Sequence, residues 1–111
     1  MTSVNSSGNA RYKALRRLVE SSQERKRTGL SVLDGAHLVA AYLAHAGRPE
    51  QVVISRSGAA NPEIRALLAR MEGTELMVLG DALFKNLSSV VTPTGILALV
   101  TTRRRRRETV R

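Results

Sequence analysis

The chain has 111 residues, which is enough for one domain with its own core and too few for two. Apolar residues make up 42%, an ordinary share for a packed interior, and the absence of cysteine excludes disulfide frameworks, thiolate nucleophiles, zinc knuckles and iron–sulfur sites. The net charge of +9 makes a polyanion the expected partner.

That charge is concentrated at the two ends. Residues 1–27 hold seven basic and two acidic side chains, residues 103–111 hold six arginines against Glu108, and residues 28–102 hold five basic and six acidic ones. A neutral middle is thus flanked by two basic segments. An acidic membrane surface competes with nucleic acid for such ends, but neither end offers a Trp, Phe or Leu face suited to lipid, which favours nucleic acid. The longest apolar stretch, residues 38–44, falls far short of the roughly 20 residues that span a bilayer. With no apolar signal segment at the N-terminus, the chain reads as soluble and cytoplasmic, with no membrane partner.

Residues 1–8 are small and polar and are expected to form a disordered leader. From Asn9 onward, Tyr12, Leu15, Leu18, Val19 and Ser22 recur at spacings of three and four. Arg11, Lys13, Arg16 and Arg17 fall largely on other faces, which predicts one amphipathic helix with a basic outer surface ending near Gly29. Residues 30–33 read as a strand, with Asp34 as N-cap of a helix over 36–46 that Gly47 and Pro49 stop. Val52, Val53 and Ile54 mark a buried strand over 51–55. Asn61-Pro62-Glu63 is a strong helix start: Asn caps, Pro has the φ of the first turn, and Glu suits the positive end of the helix dipole. Residues 75–79 predict a third strand and residues 96–100 a fourth. Between them Asp81 is expected to cap a short helix carrying Leu83, Phe84 and Leu87, followed by a connection over 88–95. Strands alternating with helices predict an α/β protein, a three-layer α/β/α sandwich around a four-stranded central sheet.

The eight glycines are scattered singly and form no phosphate-binding loop, so a nucleotide-cofactor site is not expected. The candidate general acids and bases are His37, His45, Asp34 and Asp81, and none stands in a triad or metal-ligand spacing, so no catalytic residue and no metal is expected. His45 reads as an outer-face residue. His37 stands in the first turn of its helix beside Gly35, where backbone N–H groups can meet an anion, and has an ordinary polar role as its other reading. Phe84 reads as core, and an aromatic content of 3% leaves no stacking platform of the single-strand-binding kind. The arginine run at 103–107 is either a neutraliser of phosphates or a solvated tail. The turn at 92–95 is a contact candidate through its neighbour Lys85.

Four stretches occur in a familiar order: residues 9–18, 32–39, 81–88 and 92–100. Lys13 and Leu15 lie in the basic helix, Asp34-Gly35 ends a strand with His37 two residues after the glycine, and Thr92-Pro93-Thr94-Gly95 leads into an apolar strand. In this order, residues 9–101 resemble the N-terminal substrate-binding domain of the SpoU/TrmH family of RNA 2′-O-ribose methyltransferases. Asp34 stands where that family usually has Glu, and Thr94 where Gln is common. The resemblance implies a fold similar to kink-turn-binding ribosomal proteins, with the loop at 34–37 and the turn at 91–95 side by side and facing structured RNA, rRNA or tRNA. Asp34, Gly35, His37, Lys85, Thr92, Thr94 and Gly95 are then the expected contacts, with Arg11, Lys13, Arg16 and Arg17 adding attraction that does not depend on sequence.

The family's catalytic domain, which is knotted, binds S-adenosylmethionine and dimerises, would follow the last strand. Here residues 103–111 follow instead, expected as a tail or interdomain linker, so neither catalysis nor a cofactor is expected of this chain by itself. A free-standing ribosome-associated RNA-binding protein is the alternative, and an adaptor docking an acidic protein through its arginines is a third reading.

Overall fold

Asn9 opens the first helix, its side-chain oxygen accepting the Arg11 and Tyr12 amides at 2.8 and 3.3 Å. In the computed structural model, which describes residues 2–4, 8–87 and 95–101, this helix is α1 (Ala10–Glu20), and it turns Tyr12, Leu15 and Leu18 into the core. The single helix expected as far as residue 28 is two. Ser21 is extended, at φ −123° and ψ 114°, and its hydroxyl accepts the Glu24 amide at 3.1 Å, starting α2 (Ser22–Thr28). Across the break Arg25 donates to the carbonyls of Leu18 at 2.6 Å and Val19 at 2.9 Å, acceptors that the end of α1 leaves without helical partners. No residue of α2 is buried, in keeping with an apolar repeat that lapses after Val19, and the helix stops at Gly29 with φ 75°.

The remaining elements follow close to expectation: β2 (Leu30–Asp34), α3 (Ala36–His45), β3 (Gln51–Ser55), α4 (Pro62–Ala69), β4 (Glu75–Leu79), α5 (Asp81–Leu87) and β5 (Ile96–Thr101). A 3-10 turn at Ser57–Ala60 lies between β3 and α4. Asn61 caps α4 as predicted, accepting the Glu63 and Ile64 amides at 2.8 and 3.2 Å. Asp34 does not cap α3. It ends β2 opposite Leu97, and Gly35 takes the cap position at φ 118° with no side-chain hydrogen bond to the helix.

Among the described residues the sheet has five strands where the sequence predicted four, in the order β1-β4-β3-β5-β2 with β1 at Thr2–Val4. The extra strand, β1 (Thr2–Val4), lies within the segment expected to be a disordered leader. It pairs in parallel with residues 77–79 of β4, and Val4 is 2% exposed. Three residues with one apolar side chain carry no alternation to read, and the pairing that orders them lies more than 70 residues away. β3 and β4 are also parallel, and β5 runs antiparallel between β3 and β2.

Side chains alternate across this sheet. Val53, Met77, Leu97 and Leu99 pack with Tyr12, Leu15 and Phe84 of α1 and α5. Val52, Ile54, Ile96 and Ala98 pack on the other face with Val39, Ile64 and Leu67 of α3 and α4. This is the predicted three-layer α/β/α sandwich, with Phe84 in the core as expected. No helix among the described residues is long and apolar enough to cross a membrane.

Candidate functional site

Strand register decides which loops meet. Ile54 pairs with both Ile96 and Val78, and Asp34 pairs with Leu97. The carboxyl ends of β2, β3 and β4 and the start of β5 therefore share one edge of the sheet, and the residues beyond them converge there. The Gly35 amide donates to Ile96 O at 3.0 Å and the Ser55 amide to Gly95 O at 3.0 Å, while the Arg56 amide ties the loop after β3 to Leu79 O at 2.8 Å. These loops are too close for side chains at two points. A Cβ on Gly58 would stand 2.8 Å from Gly95 O, and Gly95 itself has φ 100° with Ser55 Oγ 2.9 Å from its Cβ position.

Where the loops meet there is a cleft of about 290 Å3 lined by Ser55, Ser57, Gly58, Asn61, Asp81, Phe84, Lys85 and Gly95. Asp81, the first residue of α5, reaches across it. Its Oδ1 accepts the Ser57 amide at 2.9 Å and its Oδ2 accepts the Ser57 hydroxyl. These bonds, side-chain before backbone, hold the Asp81 carboxyl below its ordinary pKa, with the Arg56 charge adding to the effect. The Ser55 hydroxyl in turn accepts the Gly58 amide at 2.9 Å, which fixes the tight turn behind the carboxylate.

The expected site residues divide into three groups. Asp34, Gly35, Lys85 and Gly95 lie along this edge, and His37 is exposed in the first turn of α3 just beyond it. The Gly35 N–H is committed to Ile96 and does not point outward, so the free amides at this corner belong to the residues after it. Thr92 and Thr94 lie outside the described residues, as does the arginine run. The basic residues of α1 are apart from the edge. Arg11 forms an ion pair at 2.9 Å with Glu75, at the opposite end of β4, and Arg16 pairs with Glu20 at 3.0 Å within its own helix. Lys13 and Arg17 are exposed on α1.

Sequence reasoning missed the Ser57–Asp81 clamp and the part that Ser55 plays beside it; Asp81, expected to cap α5, is the first residue of that helix and its carboxylate holds Ser57 instead. The available signal was positional: Ser55, Arg56 and Ser57 directly follow a parallel strand, and Gly80 and Asp81 directly follow the next one. Among the described residues no group of three or more His, Asp or Glu is placed to hold a metal ion.

Residues 9–98 match the family model of the MRM3-like substrate binding domain. None of the curated proteins matches the chain. Among solved structures, an RNA 2′-O ribose methyltransferase is 28% identical with a TM-score of 0.74, over 90% of this chain and 37% of that one. An rRNA methyltransferase from Sinorhizobium meliloti is 17% identical with a TM-score of 0.74, over 92% of this chain and 37% of its own. The SpoU methyltransferase AviRb from Streptomyces viridochromogenes, solved with AdoMet, is 22% identical with a TM-score of 0.67, over 84% and 33%. The last two likenesses show the fold alone, and the chain spans only about a third of the length of each of the three. With its three-layer fold and its match over residues 9–98, the chain belongs to the MRM3-like substrate binding domain family of the SpoU/TrmH RNA 2′-O-methyltransferases.

Proposed function

We propose that this domain binds structured RNA, rRNA or tRNA, and presents it for 2′-O-methylation by a catalytic domain that is not in this sequence. The observation that carries this reading is that Lys85 and Gly95 line one cleft at the end of the sheet, with His37 exposed in the first turn of α3 just beyond it, in a domain of this family. The opening turn of α3, whose cap residue is a glycine, together with the exposed His37 suits a phosphate, and Lys85 in the cleft suits a second one. Recognition of this kind depends on shape, since few side chains at the edge are long enough to read paired base edges. S-adenosylmethionine and the main dimer contact belong, in this reading, to the catalytic domain, and the protein acts in the cytoplasm.

The test is binding of the 111-residue chain, and of a copy ending at Thr102, to a structured rRNA fragment and to a duplex of equal charge. Preference for the structured RNA that survives loss of the arginines supports recognition by the folded edge. Equal binding of both RNAs, lost with the arginines, overturns it and leaves the domain as an electrostatic anchor.

A further inference from the structure

We infer that this domain pairs with a second copy of itself through the free edge of β2 and the outer face of α3. The inference does not depend on RNA binding. It starts from α3, which is apolar almost all the way round. Apart from His37 and His45 its residues are aliphatic or Tyr42, and Ala36 and Val39 are buried against the sheet. A helix of this composition is ordinarily covered on every side, since a surface helix carries polar and charged residues on its outer face. Yet Leu38 is 51% exposed, and with Ala41, Tyr42 and His45 it forms a stripe at helical spacing on the side next to β2. Leu33 of β2 and Ala46 complete the groove of about 280 Å3 that this stripe lines.

β2 matches it. Among the described residues it is the outermost strand on this side, and all five of its residues are half-buried, whereas its neighbour β5 is buried from Ile96 to Val100. The Gly35 amide donates to Ile96 O at 3.0 Å, so in this antiparallel ladder residues 31, 33 and 35 turn their backbone groups toward β5 and residues 30, 32 and 34 turn theirs to the open side. An edge with neither lysine nor proline, in register with its neighbour without a bulge, is open to another strand.

Charge and symmetry select the occupant. Between Leu30 and Gly47 the single formally charged residue is Asp34, in a chain of net charge +9 where 24% of residues are charged. Two copies of so basic a chain approach best where neither presents a cation. The edge is also its own complement. Antiparallel pairing centred on Val32 sets Leu30 opposite Asp34 and Ser31 opposite Leu33, and joins the outward groups in a reciprocal ladder. The two-fold axis then stands perpendicular to the sheet, so both α3 helices lie on one face and their Leu38 stripes meet across the seam. This pairing puts Asp34 of one copy beside the basic end of the other copy's β2, which Lys26 and Arg27 of α2 precede. It also puts the two Thr101 residues, after which the arginines follow in sequence, at opposite ends of the seam.

The contact, one five-residue strand and one ten-residue helix, is about 15–17 Å long, at the small end of specific interfaces, so the expected dimer is weak. Sedimentation velocity of the 111-residue chain from about 5 to 500 μM, the range of a micromolar contact, is expected to show a reversible monomer–dimer equilibrium. Leu38→Lys, which charges the stripe at an exposed position, is expected to weaken the dimer at least about tenfold while leaving the melting temperature unchanged. Val32→Pro, which removes the central outward N–H and is tolerated on an edge strand, is expected to weaken it too. A chain that stays monomeric throughout overturns the inference and leaves the face to a different partner. A dimer that persists in folded Leu38→Lys, or that is lost when the chain ends at Thr102, is made elsewhere and also overturns it. A dimer sensitive to Leu38→Lys but not to a folded Val32→Pro overturns the strand pairing.

Discussion

His37 and Asp81 show how exposure separates a functional side chain from a structural one. His37 is exposed at the start of α3, so His37→Ala should change stability by less than about 0.5 kcal/mol, the usual range for surface sites. The same change should weaken RNA binding severalfold, read by titration with the structured rRNA fragment; a large fall in melting temperature would show a packing role instead. For Asp81 the direction of titration follows from the Ser57 bonds, which lower the folded-state pKa. A depressed carboxyl contributes its stabilisation above the unfolded pKa and loses it as pH falls through the folded value. The clamp should therefore be intact at neutral pH and release only in acid, below the ordinary Asp range. An NMR titration of the Ser57 amide that moved at or above that range would contradict the geometry. The pair was illegible in the sequence because its members are 24 residues apart and meet only through the parallel pairing of β3 with β4. His37, Lys85 and Gly95 were legible as candidates through the motifs around them, and in the structure Lys85 and Gly95 line one cleft with His37 exposed just beyond it.

At the scale of elements, the sequence disclosed what local physics governs. Asn61-Pro62-Glu63 starts α4 where predicted, because cap, proline and acid all act within one turn. The short apolar strands lie where their runs do, because burial on both faces needs no alternation. The break at Ser21 escaped, since serine tolerates helix interiors and its capping bond to Glu24 declares itself only in three dimensions. Ser21→Ala should cost about 1 kcal/mol, the usual loss for a cap, and should loosen α2 first, seen as faster amide exchange at Glu24. Core substitutions should grade with burial. Ile96 is fully buried in the layer under α3 and α4, so Ile96→Ala should cost about 2–5 kcal/mol in denaturant unfolding. Leu33 on edge strand β2 is only half-buried, and Leu33→Ala should cost clearly less. Equal losses would mean that the edge strand is covered by something other than this chain.

For the whole molecule, the net charge of +9 and the ion pairs in the structure act against each other. Arg11 and Arg16, expected to attract RNA, spend part of their field on Glu75 and Glu20, although exposed pairs of this kind are weak and leave most of it to the solvent. The sequence count of basic residues therefore overstates the cations that α1 can offer, and the six arginines of residues 103–111 take a larger share. If RNA binding neutralises about six phosphates, the logarithm of affinity should fall with the logarithm of salt at a slope of roughly −4 to −5. Ending the chain at Thr102 should make that slope shallower by about 0.7 to 0.9 for each phosphate that the arginines contact. The preference for structured RNA over duplex, set by the loops at the sheet edge, should change little with either salt or truncation. A slope near zero for the full chain would remove the electrostatic part of the reading. A preference that disappeared along with the slope would show that charge alone, and no shape at the edge, holds the RNA.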